Sequence, residues 1–145
     1  MDKEKLIDDF VHHFILRDKR ERCLFELNHP RKRDKFINRL NHDWAAIFDM
    51  RKLVSIPKHV KDNYNFIKAQ LKIAGNDLCY AVSNYADLDG CEIPFEQVFD
   101  KSYGRGLATL LIVSADKIYL ETEQEWGAPE GFVGKSPPSL SKTGR

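Results

Sequence analysis

Cysteine is scarce in this 145-residue chain: three residues, Cys23, Cys79 and Cys91, with no CxxC pair. A disulfide scaffold is therefore excluded, and an odd, scattered set reads as reduced thiols, predicting a cytoplasmic protein. Long hydrophobic runs are missing too, since no uninterrupted apolar stretch approaches the ~20 residues of a membrane span. The start, Met1-Asp2-Lys3-Glu4-Lys5, leads into an apolar stretch broken by Asp8 and Asp9, so no signal peptide is expected. Histidines 12, 13, 29, 42 and 59 form no HExxH and no i, i+4 pair. No GxSxG anchors a nucleophilic triad, and zinc spacing is absent, so no metal and no cofactor are expected. Net charge is close to nil, at +1, and the mean hydropathy is −0.49.

What is present describes a folded chain. Nine Phe, five Tyr and two Trp exclude disorder throughout. A domain of this length buries roughly 68–70% of its unfolded surface. The small net charge conceals a division. Residues 1–72 hold 17 Lys and Arg against 11 Asp and Glu, a net of +6, and residues 73–145 carry a net of −5. Such a split suits two faces with partners of opposite charge, and equally suits well-solvated helices.

Apolar spacing organises the first half as helices. Leu6, Ile7, Phe10, Val11, Phe14 and Ile15 make one stripe on a helix over about 3–17. Cys23, Leu24 and Leu27 share a side of a second helix, which Pro30 ends. A third carries Phe36, Ile37, Leu40 and Trp44 inward. Residues 45–57 read ambiguously. A fourth helix, capped by Asp62 or Asn63, runs through Phe66, Ile67, Leu71 and Ile73 to a stop at Gly75. The second half changes character. Strands are predicted over 78–83, 107–113 and 117–123, the last with one solvated face, and the final two form an antiparallel hairpin. Pro94 opens a short helix to about Tyr103, broken by Gly104-Arg105-Gly106. The fold class is therefore α+β, a helical N-terminal half packed on a small, mainly antiparallel C-terminal sheet. Residues 1–126 form one domain, and 127–145, with four of the eight Gly and three of the six Pro, read as a tail mobile at least from 134 onward.

Two charge constellations are candidate binding sites. Arg17, Lys19, Arg20, Arg22, Arg31, Lys32, Arg33, Lys35 and Arg39 place nine positive charges within 23 residues. Cations so clustered neutralise phosphates and release counterions, which makes nucleic acid a candidate partner. The interleaved acids, and the reading of Phe25 and Phe36 as core, favour a plain solvated face. Conversely, alternation along a strand points Tyr119, Glu121, Glu123 and Glu125 to one side. Such an acidic strip, with Asp87, Asp89 and Glu92 as a second patch, would steer a basic protein into place. An edge strand guarded by charge is the structural alternative.

Weaker patterns fail on chemistry. Tyr85, Asp87, Asp89, Gly90 and Glu96 partly match a calcium loop, but Tyr stands where the first carboxylate is needed. Gly104-Arg105-Gly106 lacks the third glycine of a dinucleotide loop, Thr109 standing there, and precedes a strand rather than a helix. An enzyme site would need His42 or His12 joined by folding to a C-terminal carboxylate.

The run Lys19-Arg20-Glu21-Arg22-Cys23-Leu24-Phe25-Glu26-Leu27, with Arg39-Leu40-Asn41-His42, resembles the opening of a group of small bacterial proteins. Cys79-Tyr80-Ala81-Val82-Ser83, Leu88-Asp89-Gly90, Pro94 and Gly104 to Thr109 resemble the same group, and together these blocks span about residues 6–125. The group is similar to immunity proteins of bacterial polymorphic toxin systems. That resemblance implies a non-catalytic protein that covers the basic active-site surface of a cognate toxin, a nuclease among the candidates. Glu121, Glu123 and Glu125, with Asp87, Asp89 and Glu92, would be the contacts. The alternatives are a nucleic-acid-binding regulator using Arg20, Arg22, Arg31, Lys32, Arg33, Lys35 and Arg39, and a small intracellular enzyme.

Overall fold

The apolar stripe that opens the chain needs a surface to cover, and a sheet supplies it. In the computed structural model, which describes residues 2–123 and 131–135, α1 spans Lys3–Phe14. The Asp2 carboxylate caps it by accepting from the Lys5 backbone N–H at 3.1 Å, and Ile7, Phe10, Val11 and Phe14 are buried. Helix α2 spans Arg20–Asn28 and turns Cys23, Glu26 and Leu27 inward. Helix α3, Arg33–His42, buries Phe36 and Leu40. Trp44, expected on that helix, instead opens a separate short turn, α4, Trp44–Ile47, because Asp43 leaves helical geometry at φ −129°.

The sheet has six antiparallel strands in the order β1-β6-β5-β4-β2-β3. They are β1 Leu53–Ser55, β2 Leu78–Ser83, β3 Glu92–Pro94, β4 Thr109–Ser114, β5 Lys117–Glu121 and β6 Gly131–Lys135. Strand β2 and the β4–β5 hairpin match the sequence reading. Strands β1 and β3 were not foreseen. Each has three residues, too few for an alternation pattern to register. Pro94 ends β3 on the sheet edge, the place where its missing N–H is tolerated.

The expected mobile tail is corrected at its centre. Gly131–Lys135 pairs on both sides, with β5 and with β1, and so forms an interior strand. Gly134 is what lets the layers close there. A Cβ at this position would stand 2.8 Å from Ile118 and Phe14 and 3.0 Å from Leu53. The remainder of 127–145, residues 127–130 and 136–145, lies outside the described residues.

Both faces of the sheet are covered. On one, α1 to α4 pack Phe10, Phe14, Phe36 and Leu40 against Leu110, Ile112, Ile118 and Leu120. On the other lie α5, Asn63–Leu71, and α6, Phe95–Ser102, which pack Ile67, Leu71, Phe95 and Phe99 against Leu111, Tyr119 and Val133. The protein is thus an α+β fold with its sheet between two helical layers. This arrangement corrects the solvated face expected of β5: Ile118, Tyr119, Leu120 and Glu121 are all buried. Helix α5 is capped by Asp62, as predicted, but stops at Lys72, which takes the left-handed conformation at φ 56°. Gly75 serves another purpose: a Cβ there would meet the Tyr64 hydroxyl and the Glu96 side chain, which would have to shift.

Candidate functional site

The predicted acidic strip loses Glu121 to the interior. Glu121 is 1% exposed, because its strand faces α5 and α6 at this position. Its carboxylate accepts from the Tyr119 hydroxyl at 2.8 Å and from the Gly104 backbone N–H at 2.9 Å. Burial pushes its pKa above the ordinary 4.5, against the lowering effect of those two donors. Gly104 and Gly106, at φ 77° and 109°, give the loop after α6 the backbone path that brings the Gly104 N–H to this carboxylate. Glu123 lies 3.5 Å from His42, and Glu125 is outside the described residues.

The second acidic patch is largely engaged within the fold. Asp89 accepts a two-pronged bond from Arg33, at 2.7 and 2.9 Å, and a third from the Ser83 backbone N–H at 3.0 Å. This joins the start of α3 to the turn after β2, while the Arg33 guanidinium lies over the Tyr80 ring. Glu92 stands 3.4 Å from Lys3, and Asp87 3.5 Å from Arg105. Of these three acids, Asp87 has the most open carboxylate, with 64% of its side chain exposed.

The basic run divides in the same way. Arg33 is committed to Asp89, and Arg39 donates twice, at 2.9 Å, to the buried carboxylate of Glu26. Arg20 donates through Nε to the Ile15 carbonyl, closing the bend between α1 and α2. Arg22, Arg31 and Lys35 are exposed and Lys32 half-buried, and none has an ion pair among the described residues. Arg17 and Lys19, just ahead of α2, are exposed in the same state.

Phe25 overturns its sequence reading as a core residue. It is 49% exposed, on the outer side of α2, whereas Phe36 is fully buried. Its ring lies tilted against that of His29, with centroids 4.2 Å apart and planes at 33°, and His29 Nδ1 lies 2.7 Å from the Phe25 carbonyl oxygen. The spacing 22, 25, 29 is i, i+3, i+7, so Arg22, Phe25 and His29 share one outward stripe. The signal was available in the sequence. At 100° per residue, position 25 stands opposite 23 and 27, which are both inward.

Two open concavities flank this region. One, of about 540 Å³, lies at the start of α2 and is lined by Leu16, Arg17, Asp18, Arg20, Asp49 and Arg51, with Ile15 at its base. Three guanidinium groups border it. Arg51 also clamps Asp49 at 2.9 Å through two nitrogens, holding that carboxyl down at about 2. The other, of about 410 Å³, is lined by Asp34, Lys35, Ile37, Asn38 and Asn84.

Among the described residues neither concavity is lined by a histidine or a cysteine. His42 does meet a C-terminal carboxylate, Glu123, but with 61% of its side chain exposed and outside both concavities. His12 faces Asp8 of its own helix at 3.7 Å. Burial pushes the Cys23 and Cys79 thiols up to about 11 and about 12, so neither supplies a thiolate near neutrality. No group of three or more His, Cys, Asp or Glu suited to a metal occurs among the described residues. No described helix is long and apolar enough to cross a membrane. No family model, curated protein or solved structure matches the chain.

Proposed function

We propose that this is a non-catalytic binding protein that holds nucleic acid on the outer face of α2. The observation that carries the reading is the half-exposed Phe25–His29 pair on the same stripe as Arg22, with Arg31 and Lys32 in the turn that follows. Cations without internal partners retain their charge for phosphates, and an aromatic surface among them offers a face for bases. Arg17, exposed at the cleft before α2, adds a further cation without an ion pair among the described residues. Fluorescence anisotropy with labelled oligonucleotides over a salt series tests this. The expected result is a linear fall of log affinity with log salt, and at least a tenfold loss in the Arg22→Glu, Arg31→Glu double variant. Absence of binding at low salt overturns the reading.

The resemblance to immunity proteins supports a second one, in which acidic residues meet a basic toxin. Asp87 is the specific observation in its favour, since its carboxylate is the most open of the predicted contacts in the second patch. Affinity capture from the native host, with and without nuclease, separates the two. A single basic protein retained after nuclease treatment favours the toxin partner, and material lost with nuclease favours nucleic acid.

A further inference from the structure

Resting on the nucleic-acid reading, we infer that the α2 face takes a single strand, with a base stacked on the Phe25–His29 pair. In a duplex the base faces are covered by their neighbours, and only edges and phosphates meet a protein. An exposed aromatic ring gains little from phosphates. An unpaired base, by contrast, offers it a flat π surface, worth roughly tenfold or more in affinity per base stacked. Phe25 presents such a surface: the residue is 49% exposed, and the His29 ring lies against its ring at 4.2 Å and 33°, supporting its orientation.

The charges flanking the pair match a strand passing across it. Arg22 stands on the stripe ahead of Phe25, while Arg31 and Lys32 follow His29. From Arg22 to His29 the helix advances about 10 Å, at about 1.5 Å per residue. A few nucleotides of one strand cover that length. Arg17, exposed ahead of the helix at the cleft, offers a further phosphate a guanidinium group. The acids Asp18 and Glu21 interrupt the positive surface near that end, which favours a short, flexible strand able to route its phosphates between them over a rigid duplex. Stacking on a base and pairing with a phosphate do not read the 2′-hydroxyl, so RNA and DNA single strands share the chemistry proposed.

Anisotropy titrations with a short labelled oligouridine, the matching oligothymidine and a duplex test the inference, using the full chain and its Phe25→Ala and Phe25→Trp variants. Circular dichroism verifies that each variant is folded, and Phe25→Trp keeps an aromatic ring should Phe25→Ala fail to fold. The expected result is single-strand binding at least tenfold tighter than duplex binding. Phe25→Ala should lose about tenfold on single strands only, with the salt slope unchanged, and Phe25→Trp should match or exceed the parent. Equal affinity for the duplex, with no effect of Phe25→Ala on single strands, overturns the single-strand inference while leaving the nucleic-acid reading in place. Failure of every oligonucleotide to bind at low salt overturns both. A preference between oligouridine and oligothymidine identifies which strand the face takes.

Discussion

Glu121 illustrates how one residue's role depends on what covers it. On sequence it is one rung of an acidic ladder, and in the fold it is a buried acceptor joining β5 to the loop after α6. Since burial raises its pKa above 4.5, the fold favours its protonated form. Its contribution to stability is therefore full below the ordinary glutamate range and declines as pH rises through the raised value. Glu121→Gln removes this titration. The melting temperature of the variant relative to the parent should rise as pH increases above the ordinary glutamate range, checked by thermal unfolding at several pH values; a constant difference would contradict it. Phe25 is the converse residue, apolar by type yet turned outward, and its position on the helical wheel already said so. The commitment of Arg33 to Asp89 and of Arg39 to Glu26 could not be read in the same way. Each pair joins separate elements, and sequence spacing carries no record of which acid a given arginine will reach.

At the scale of elements, the long periodic segments were legible and the short ones were not. The stripe of α1 and the compact apolar run of β2 each carry enough apolar positions to fix their type. Strand β1 exists because β6 offers it a partner, and β6 is read as tail because of its Gly and Pro surroundings. Gly134 shows why composition misled. It is small for packing, with Phe14, Leu53 and Ile118 closing over its α-carbon, rather than for flexibility. Gly134→Ala should cost about 1–3 kcal/mol, as overpacking in a dense core does. Urea unfolding measures this, and a neutral substitution would mean the three layers can part to admit a methyl group.

For the whole molecule, the strand order places the last described strand between the first and fifth. Among the described residues strand β1 joins the sheet through β6, and the Phe132 ring lies 4.7 Å from Trp44 of α4. A chain ended at residue 126, the boundary suggested by composition, should therefore lose β1 pairing and expose the flank of β5. Its unfolding should become broad and non-cooperative by circular dichroism and calorimetry. A sharp two-state transition in that truncated chain would show that β6 is dispensable. The same topology explains the distribution of charge. In the acidic second half, mostly sheet and turns, Asp89, Glu92 and Glu121 are engaged within the fold, while the basic first half is helical and keeps several cations at the surface.

The sequence by itself determined the class of fold, the principal helices, the central hairpin and the nine clustered cations, because each is written in local spacing and residue type. Tertiary structure alone decided that the sheet is covered on both faces, that β6 completes it, that Glu121 is buried, and which cations are left without partners. Those outcomes depend on contacts between residues far apart in the chain. Periodicity tells which side of an element is apolar, but only the packing of one layer on another decides what the polar side meets.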